Sequence, residues 1–438
     1  MPPSPATIPS TPPRPAARYI FILLFLLYMF DYTDRMVVVS LFPYIKQDWG
    51  LSDTQLGLLV SAVYWSILVF TLPVSILIDR WSRKKCIGIM AVVWSLATIA
   101  CAFTRNFGQL FTARVAIGVG EAGYAPGGTA MISALYPKDK RARMLGIWNA
   151  SIPLGSAVGI ALGGFVAQHF GWQHAFGIVA LPGMIVAFLF FGVRDYKTID
   201  LIKTPDNGPV GGHAMNLAEI VGEFTHKPSL ILNNLAMAGC VFVTTSLLTW
   251  LPTYFHRIQG LDMTTAGLKG SAVMLLAIIG APLGGYLTDR WYRRRTSARM
   301  LFPALSSLAT GLLLFVTFGL LHGVAQYAVL LISGIAATMF ISAAVAVTQD
   351  VVHAGLRAVS LSLNVIIQHI LGSAVGPPVI GALSDRLGLE GAMIFIPAFS
   401  IMASLLFLAG SFFYSRDLDK TAQMDVPWET DVSPNQTP

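Results

Sequence analysis

The sequence predicts an all-α, polytopic membrane protein: twelve transmembrane helices in two pseudo-symmetric six-helix bundles. Three observations predict it. The 438 residues are 55% hydrophobic and only 12% charged, with a mean hydropathy of +0.66, whereas soluble domains carry about 25% charged residues. Mostly apolar runs recur from Tyr19 to Tyr414, each near the ~20 residues that a helix needs to cross the hydrocarbon core. The chain also repeats itself. "DRWSRKK" at 79–85 returns as "DRWYRRR" at 289–295, and "GSAVGIALGG" at 155–164 is answered by "GSAVGPPVIG" at 372–381. Paired cues at matching places imply a duplicated six-helix unit.

Along the chain, residues 1–17 are Pro-rich and read as a disordered tail. The apolar run that follows is too long for a secretory signal. An N-terminal bundle is expected over 18–193, with spans at 18–44, 54–78, 84–103, 108–135, 141–168 and 173–193. A linker over 194–227 holds "TPDNGPVGGH" and then "NLAEIVGEF", read as a short interfacial helix. The C-terminal bundle is expected over 228–415, with spans at 228–258, 264–288, 299–321, 324–349, 357–384 and 390–415, followed by a disordered acidic tail over 416–438.

Charge orients the chain. Of 29 Lys and Arg, only Lys46, Arg105, Arg257 and Arg386 fall in loops on one side, and Arg35, Arg114 and Lys269 fall within spans. The other 22 lie on the side of the termini, so both termini are expected in the cytoplasm of a plasma or inner membrane.

Cys86, Cys101 and Cys240 are scattered through apolar segments without metal-ligand spacing. The sequence has no phosphate loop, zinc cluster or hydrolase elbow. It therefore points away from an enzyme, a nucleotide-driven pump or a nucleic-acid binder, and no cofactor or metal is expected. Its energy source would be a gradient.

Ionisable residues inside the spans carry the functional reading. "YMFDYTDRMVV" at 28–38 buries Asp31, Asp34 and Arg35, and "LFTARVAIGVGEAGYAPGG" at 110–128 buries Arg114 and Glu121 two helical turns apart. An unpaired charge at mid-membrane costs at least ~2.5–3.5 kcal/mol, so such groups face a protein interior or a wet cavity. Asp31 and Arg35, one turn apart, partly neutralise each other, while Asp34 and Glu121 are expected to face the cavity as proton-coupling groups. A carboxylate gains a proton when desolvated and loses it when an arginine or water approaches. The structural alternative is a static ion-pair lock of Asp34, Arg35, Arg114 and Glu121. Tyr124, and Asn364, Gln368 and His369 near one face of the eleventh span, complete the candidate cavity lining. Gly146, Gly155, Gly159, Gly163 and Gly164 form a small-residue stripe suited to close helix packing.

These motifs resemble the major facilitator superfamily over residues 18 to 415. The family's loop pattern Gly-x-x-x-Asp-Arg-x-Gly-Arg-Arg is matched by Asp79, Arg80, Arg83 and Lys84, with Ser75 and Ser82 replacing glycines; the second copy has Gly285, Asp289, Arg290 and Arg293. The resemblance implies that both copies serve a cytoplasmic gate. The fifth-span glycines are similar to the family's antiporter motif, but Ile160 replaces its proline, which leaves transport direction open. "DYTDR", "RVAIGVGEA", "PLGSAVG" and "TQDVVHAGLRAVSLSL" most resemble Spinster-like transporters, which carry sphingolipids and lysophospholipids. Features are shared with the organic anion:cation symporters, including "TWLPTYF" at 249–255. The resemblance implies proton coupling through Asp34 and Glu121. It also places Arg35 and Arg114 at the substrate's negative group.

The expected function is a proton-coupled secondary transporter of an organic anion, anionic amphiphile or lysolipid. The partners expected are protons, membrane lipids and an anionic substrate, and by resemblance the protein is a monomer. The alternatives are a symporter of sugar acids or aromatic acids, an uncoupled or sodium-coupled carrier, and a non-transporting membrane sensor.

Overall fold

Helix starts and stops follow local chemistry. Ser52 and Gln55 form a reciprocal capping box, and Ser82, Asn106 and Asp262 cap three further helices through their side-chain oxygens. In this computed structural model, which describes residues 14–193, 224–353 and 356–425, the first half runs α1 (Arg14–Val37), α2 (Phe42–Trp49), α3 (Asp53–Arg80), α4 (Arg83–Cys101), α5 (Phe107–Glu121), α6 (Tyr124–Leu135), α7 (Lys138–Asn149), α8 (Ser151–Phe170) and α9 (Trp172–Phe191). The second half runs α10 (Pro228–Arg257), α11 (Met263–Tyr292), α12 (Ala298–Gly319), α13 (Gly323–Ala336), α14 (Ile341–Asp350), α15 (Arg357–Gln368) and α16 (Gly376–Asp425). The linker helix expected over 216–224 falls, apart from Phe224, outside the described residues, as do the extreme termini.

Among the described residues, nine stretches are long and apolar enough to cross a membrane on length and composition alone. The stretch Val359–Thr421 turns back at Gly388, whose φ of 75° favours glycine, and so crosses twice. The crossings that fall short are α1, interrupted by its own charges, and α5–α6, which is broken in two. Adding them gives the twelve that the sequence predicts.

Several expected spans are interrupted, and proline explains most of the breaks. Pro126 cannot donate to the Ala122 carbonyl, so the fourth crossing splits just after Glu121. Pro153 does the same to Asn149, dividing α7 from α8. The eleventh crossing passes through a π-helical turn, His369–Ser373, before Pro377 and Pro378. Single π turns insert an extra residue per turn and re-aim the side chains that follow.

The glycine stripe packs α8 against α1. A Cβ at Gly155 would collide with the Met29 carbonyl, and one at Gly159 would lie 2.5 Å from the Thr33 carbonyl. Gly163 rests on Val37, and Gly164 reaches across to Met263 of the second half. Gly146 is a correction to the expected stripe: it lies on α7, before the break, and a Cβ there would meet nothing within 4 Å. The repeat has a structural counterpart in the second half, where Gly372 and Gly376 meet the Ala238 and Phe242 carbonyls of α10.

The acidic tail is a second correction. Instead of ending near 415, α16 continues to Asp425. Asp417 accepts hydrogen bonds from the backbone N–H of Ser229 at 3.0 Å and from its hydroxyl at 2.6 Å, capping the start of α10 with a carboxylate where the helix dipole favours one. Lys227 donates to Thr421 at 2.9 Å, tying the same helix to the end of the linker.

The halves are joined at one end. Both described chain ends, Arg14 and Asp425, lie at what we term the termini end, and the turns at Gly50, Gly171, Gly260 and Gly388 lie at the far end. One hydrophobic core fills the first half and continues across the seam at the far end through Phe42, Trp250 and Ile380. A separate cluster around Met237, Phe340, Phe407 and Tyr414 fills the termini end of the second half.

Replacing Gly159 by leucine should separate α1 from α8 and cost about 1–3 kcal/mol or more, as overpacking does. Gly146→Ala should be neutral. Thermal unfolding of the detergent-solubilised variants distinguishes the two positions.

Candidate substrate and coupling site

Arg35 sits in the last turn of α1, where a cation complements the helix dipole. Its Nη2 lies 2.9 Å from Asp31 Oδ2 and donates to Oδ1 at 3.2 Å, while its Nε lies 2.8 Å from Glu121 Oε2. The Tyr32 ring lies under the guanidinium at 4.6 Å. Asp31 and Glu121 side chains have no exposure and Arg35 has 9%, so the arginine is the member of the trio that reaches solvent. Glu121 ends α5, an unfavourable place for an anion in the helix field, and neither of its oxygens accepts an aligned hydrogen bond.

Asp34 does not join this trio, and neither Asp34, at 0% exposure, nor Glu121, at 2% for the whole residue, opens onto a cavity as the sequence leads one to expect. Four residues separate Asp31 from Arg35, so they share a face. Asp34 is rotated about 100° from Arg35 and points elsewhere. It is fully buried beside Thr98 of α4 and Arg114, and neither carboxylate oxygen accepts a well-aligned hydrogen bond.

Arg114 is likewise displaced from the role that the resemblance implied. It has no exposure. Its Nε donates to the Leu59 carbonyl at 3.0 Å, and its two terminal nitrogens donate to the Asp34 and Arg35 carbonyls at 3.1 Å each. Those two carbonyls belong to the last turn of α1, where the regular helix stops at Val37 and the backbone tightens into a 3₁₀ turn, Val38–Leu41. Arg114 thus caps the end of α1 and clamps α1, α3 and α5 together. No donor of Arg114 is directed at an acidic side chain in the observed bonds.

Tyr124 is also occupied. Its hydroxyl donates to the Leu24 carbonyl at 2.6 Å, and Trp148 donates to the same oxygen at 3.2 Å. Tyr28 stacks on Trp148 at 4.3 Å and extends this aromatic wall towards Tyr32. From the second half, Asn364 is buried and donates to Asn234 at 2.7 Å; Gln368 donates to Asn364. His369, on the π turn, lies 5.7 Å from the Tyr64 ring across the seam, and its Nδ1 is buried without a hydrogen-bond partner. The polar groups of the two halves therefore approach each other at Arg35, Tyr64 and His369.

The residues expected to form a gate lie at the termini end. Asp79 and Arg80 close α3, Arg83 and Lys84 open α4, and Asp289, Arg290 and Arg293 sit exposed at the end of α11. A second closure, at the far end, escapes the sequence reading. Asp53 accepts from Lys46 at 2.6 Å, from Arg257 of the second half at 2.9 Å and from Ser384 at 2.6 Å. Asp385 in turn accepts from the backbone N–H groups of Asp53 and Thr54 at 2.7 and 2.9 Å, capping α3 from the opposite half. In the sequence, Lys46 and Arg257 stand out only as exceptions to the charge asymmetry. The signal that could have found the closure is an acidic residue beside each of these isolated cations or across from it.

The sequence profile of the Major Facilitator Superfamily matches residues 24–377. The chain belongs to the major facilitator superfamily. This transporter is 26% identical over 400 residues to a hexuronate transporter of Bacillus subtilis, covering 88% of this chain and 92% of that protein. It is 28% identical over 407 residues to protein spinster homolog 1 of Homo sapiens, covering 87% and 75%. Among solved structures, a bacterial homolog of the human lysosomal transporter Spinster, in an inward-facing and unoccupied conformation, superposes with a TM-score of 0.81 at 21% identity, covering 92% of this chain and 99% of that one. That superposition identifies the shared fold, an all-helical bundle of membrane-spanning length.

Replacing Arg114 by methionine strands the buried carbonyls it caps, at about 1–3 kcal/mol for each acceptor left unpaired. Lysine should not rescue it, because one ammonium cannot reach three carbonyls. Thermal unfolding reads both variants. Asp53→Asn should loosen the far end, so that a cysteine introduced in place of Ile380, fully buried at the seam, reacts several-fold faster with a membrane-impermeant thiol reagent added from that side.

Proposed function

We propose that this superfamily member is a proton-coupled secondary transporter of an organic anion. The observation that carries the proposal is Arg35, 9% exposed and held between two fully buried carboxylates, Asp31 and Glu121. A guanidinium is suited to an anionic cargo because its planar donors match carboxylate and phosphate geometry. Glu121, at a helix C-terminus and without an aligned donor, is the group assigned to the proton. Asp34, buried and without a well-aligned donor to either oxygen, is a second proton site. Asn364, Gln368 and His369 supply polar contacts from the second half.

The charge asymmetry supports placing the termini end in the cytoplasm. On that orientation the chain is closed to the outside through Asp53, and the gate at Asp79–Lys84 and Asp289–Arg293 closes the cytoplasmic end in the alternate state. We assign a monomer, in which the two halves rock about the shared site.

The name of the Bacillus subtilis relative, a hexuronate transporter, supports a small sugar acid as cargo. A second reading, an anionic amphiphile, is favoured by a groove of about 190 Å³ between α10 and α15, lined by Leu230, Ile231, Leu235, Leu363 and Ile367 and ending at Asn234. Thermal-shift measurement against glucuronate, benzoate and a lysophospholipid separates these classes, since binding stabilises the folded state by mass action.

In proteoliposomes with an imposed pH gradient, Glu121→Gln should abolish gradient-driven flux and preserve counterflow exchange. Gradient-driven flux at the wild-type rate would remove Glu121 from the coupling role, and flux that follows sodium but ignores pH would replace the proton by a cation.

A further inference from the structure

Asp31 engages the part of Arg35 that an anionic cargo would need. A carboxylate or phosphate grips a guanidinium best along one edge, through two parallel N–H groups. The Nε–Nη2 edge of Arg35 is divided here between Glu121, 2.8 Å from Nε, and Asp31, 2.9 Å from Nη2. Asp31 also accepts the aligned hydrogen bond of the pair, at 3.2 Å, whereas Glu121 accepts none. No ligand anion can take this edge until one carboxylate leaves it.

The two carboxylates differ in how they would leave. Glu121 belongs to another helix, at a proline-dependent break, whereas Asp31 lies one turn from Arg35 on α1. Parting Asp31 from Arg35 takes a side-chain rotation and no movement of the backbone. The charge count adds a reason for one carboxylate to leave or take up a proton. Asp31, Asp34 and Glu121 outnumber Arg35 and Arg114 in this cluster, so an added anion crowds a site that already holds an excess of carboxyl groups. Like charges in such a medium repel strongly.

We propose that Asp31 is an internal competitor for the cargo's anionic group: in the conformation closed at the far end it occupies the Arg35 edge, and it returns there as cargo departs. It is a positioning residue that lowers affinity on the termini side and so favours release there. This inference rests on reading Arg35 as the anion's anchor.

The test compares wild type with Asp31→Asn, Asp31→Glu and Arg35→Gln, using the full chain and glucuronate, benzoate and a lysophospholipid as probes. Removing the competitor should tighten binding of the recognised probe at least tenfold. It should lower KM and kcat together in proteoliposomes, because cargo leaves more slowly. Asp31→Glu should stay near wild type, and Arg35→Gln should lose binding. A merely structural Asp31 would weaken binding when replaced and leave no such split. Unchanged or weaker binding in Asp31→Asn, with binding lost in Arg35→Gln, overturns the competitor and leaves the anion site standing. Wild-type binding in Arg35→Gln, or indifference of wild type and Asp31→Asn to all three probes, overturns the anion reading and this inference with it. Asp31→Ser gives the same comparison if the asparagine variant does not fold.

Discussion

Charge buried in a low-dielectric medium must be compensated within ångströms, and the first half of this protein is organised around that constraint. Two arginines and three carboxyl groups lie in the space between α1, α4 and α5. Each arginine meets the requirement differently. Arg114 is neutralised by peptide dipoles, three carbonyl oxygens in the grip of one side chain, whereas Arg35 is neutralised by opposite charge. The first arrangement fixes the arginine to backbone atoms, as a strut does. The second pairs it with side chains, which the backbone does not hold in place. A buried pair of this kind is a poor stabiliser compared with apolar packing.

The helix breaks make these compensations possible. Where α1 gives way to a 3₁₀ turn, carbonyls without helical partners become available to Arg114. Where Pro126 interrupts the fourth crossing, Glu121 becomes a terminal residue. The π turn at His369 brings a ring nitrogen without a partner to the seam, opposite Tyr64. Irregular backbone inside a membrane is tolerated where it is buried in protein or lines a cavity, and here the irregular places coincide with the ionisable ones.

The far-end closure combines two kinds of contact with different strengths. Close backbone approaches, such as Gly57 against Pro377 and Gly164 against Met263, hold the halves by shape. The Asp53 cluster adds charge: its carboxylate is 4% exposed, while Lys46 and Arg257 are 37% and 23% exposed. Partners that remain accessible to water are separated at lower cost than fully buried ones, so this wet contact and the dry Arg114 clamp differ in strength.

Much of the architecture was legible in the amino-acid order because its causes are local or periodic. Bilayer thickness sets the length of an apolar run, the charge of loops reports their side, and a duplicated motif reports a duplicated unit. The span ends, the glycine seam from Gly155 to Gly164 and the pairing of Asp31 with Arg35 follow from helical spacing. Tertiary structure decided what depends on rotation and neighbours. It gave Arg114 to carbonyls that are available because α1 stops at Val37. It brought Asp53 to Arg257, 204 residues away, and docked Asp417 on Ser229. None of these is encoded in a period or a spacing, because each partner lies on a separate helix whose position is set by packing of the whole bundle.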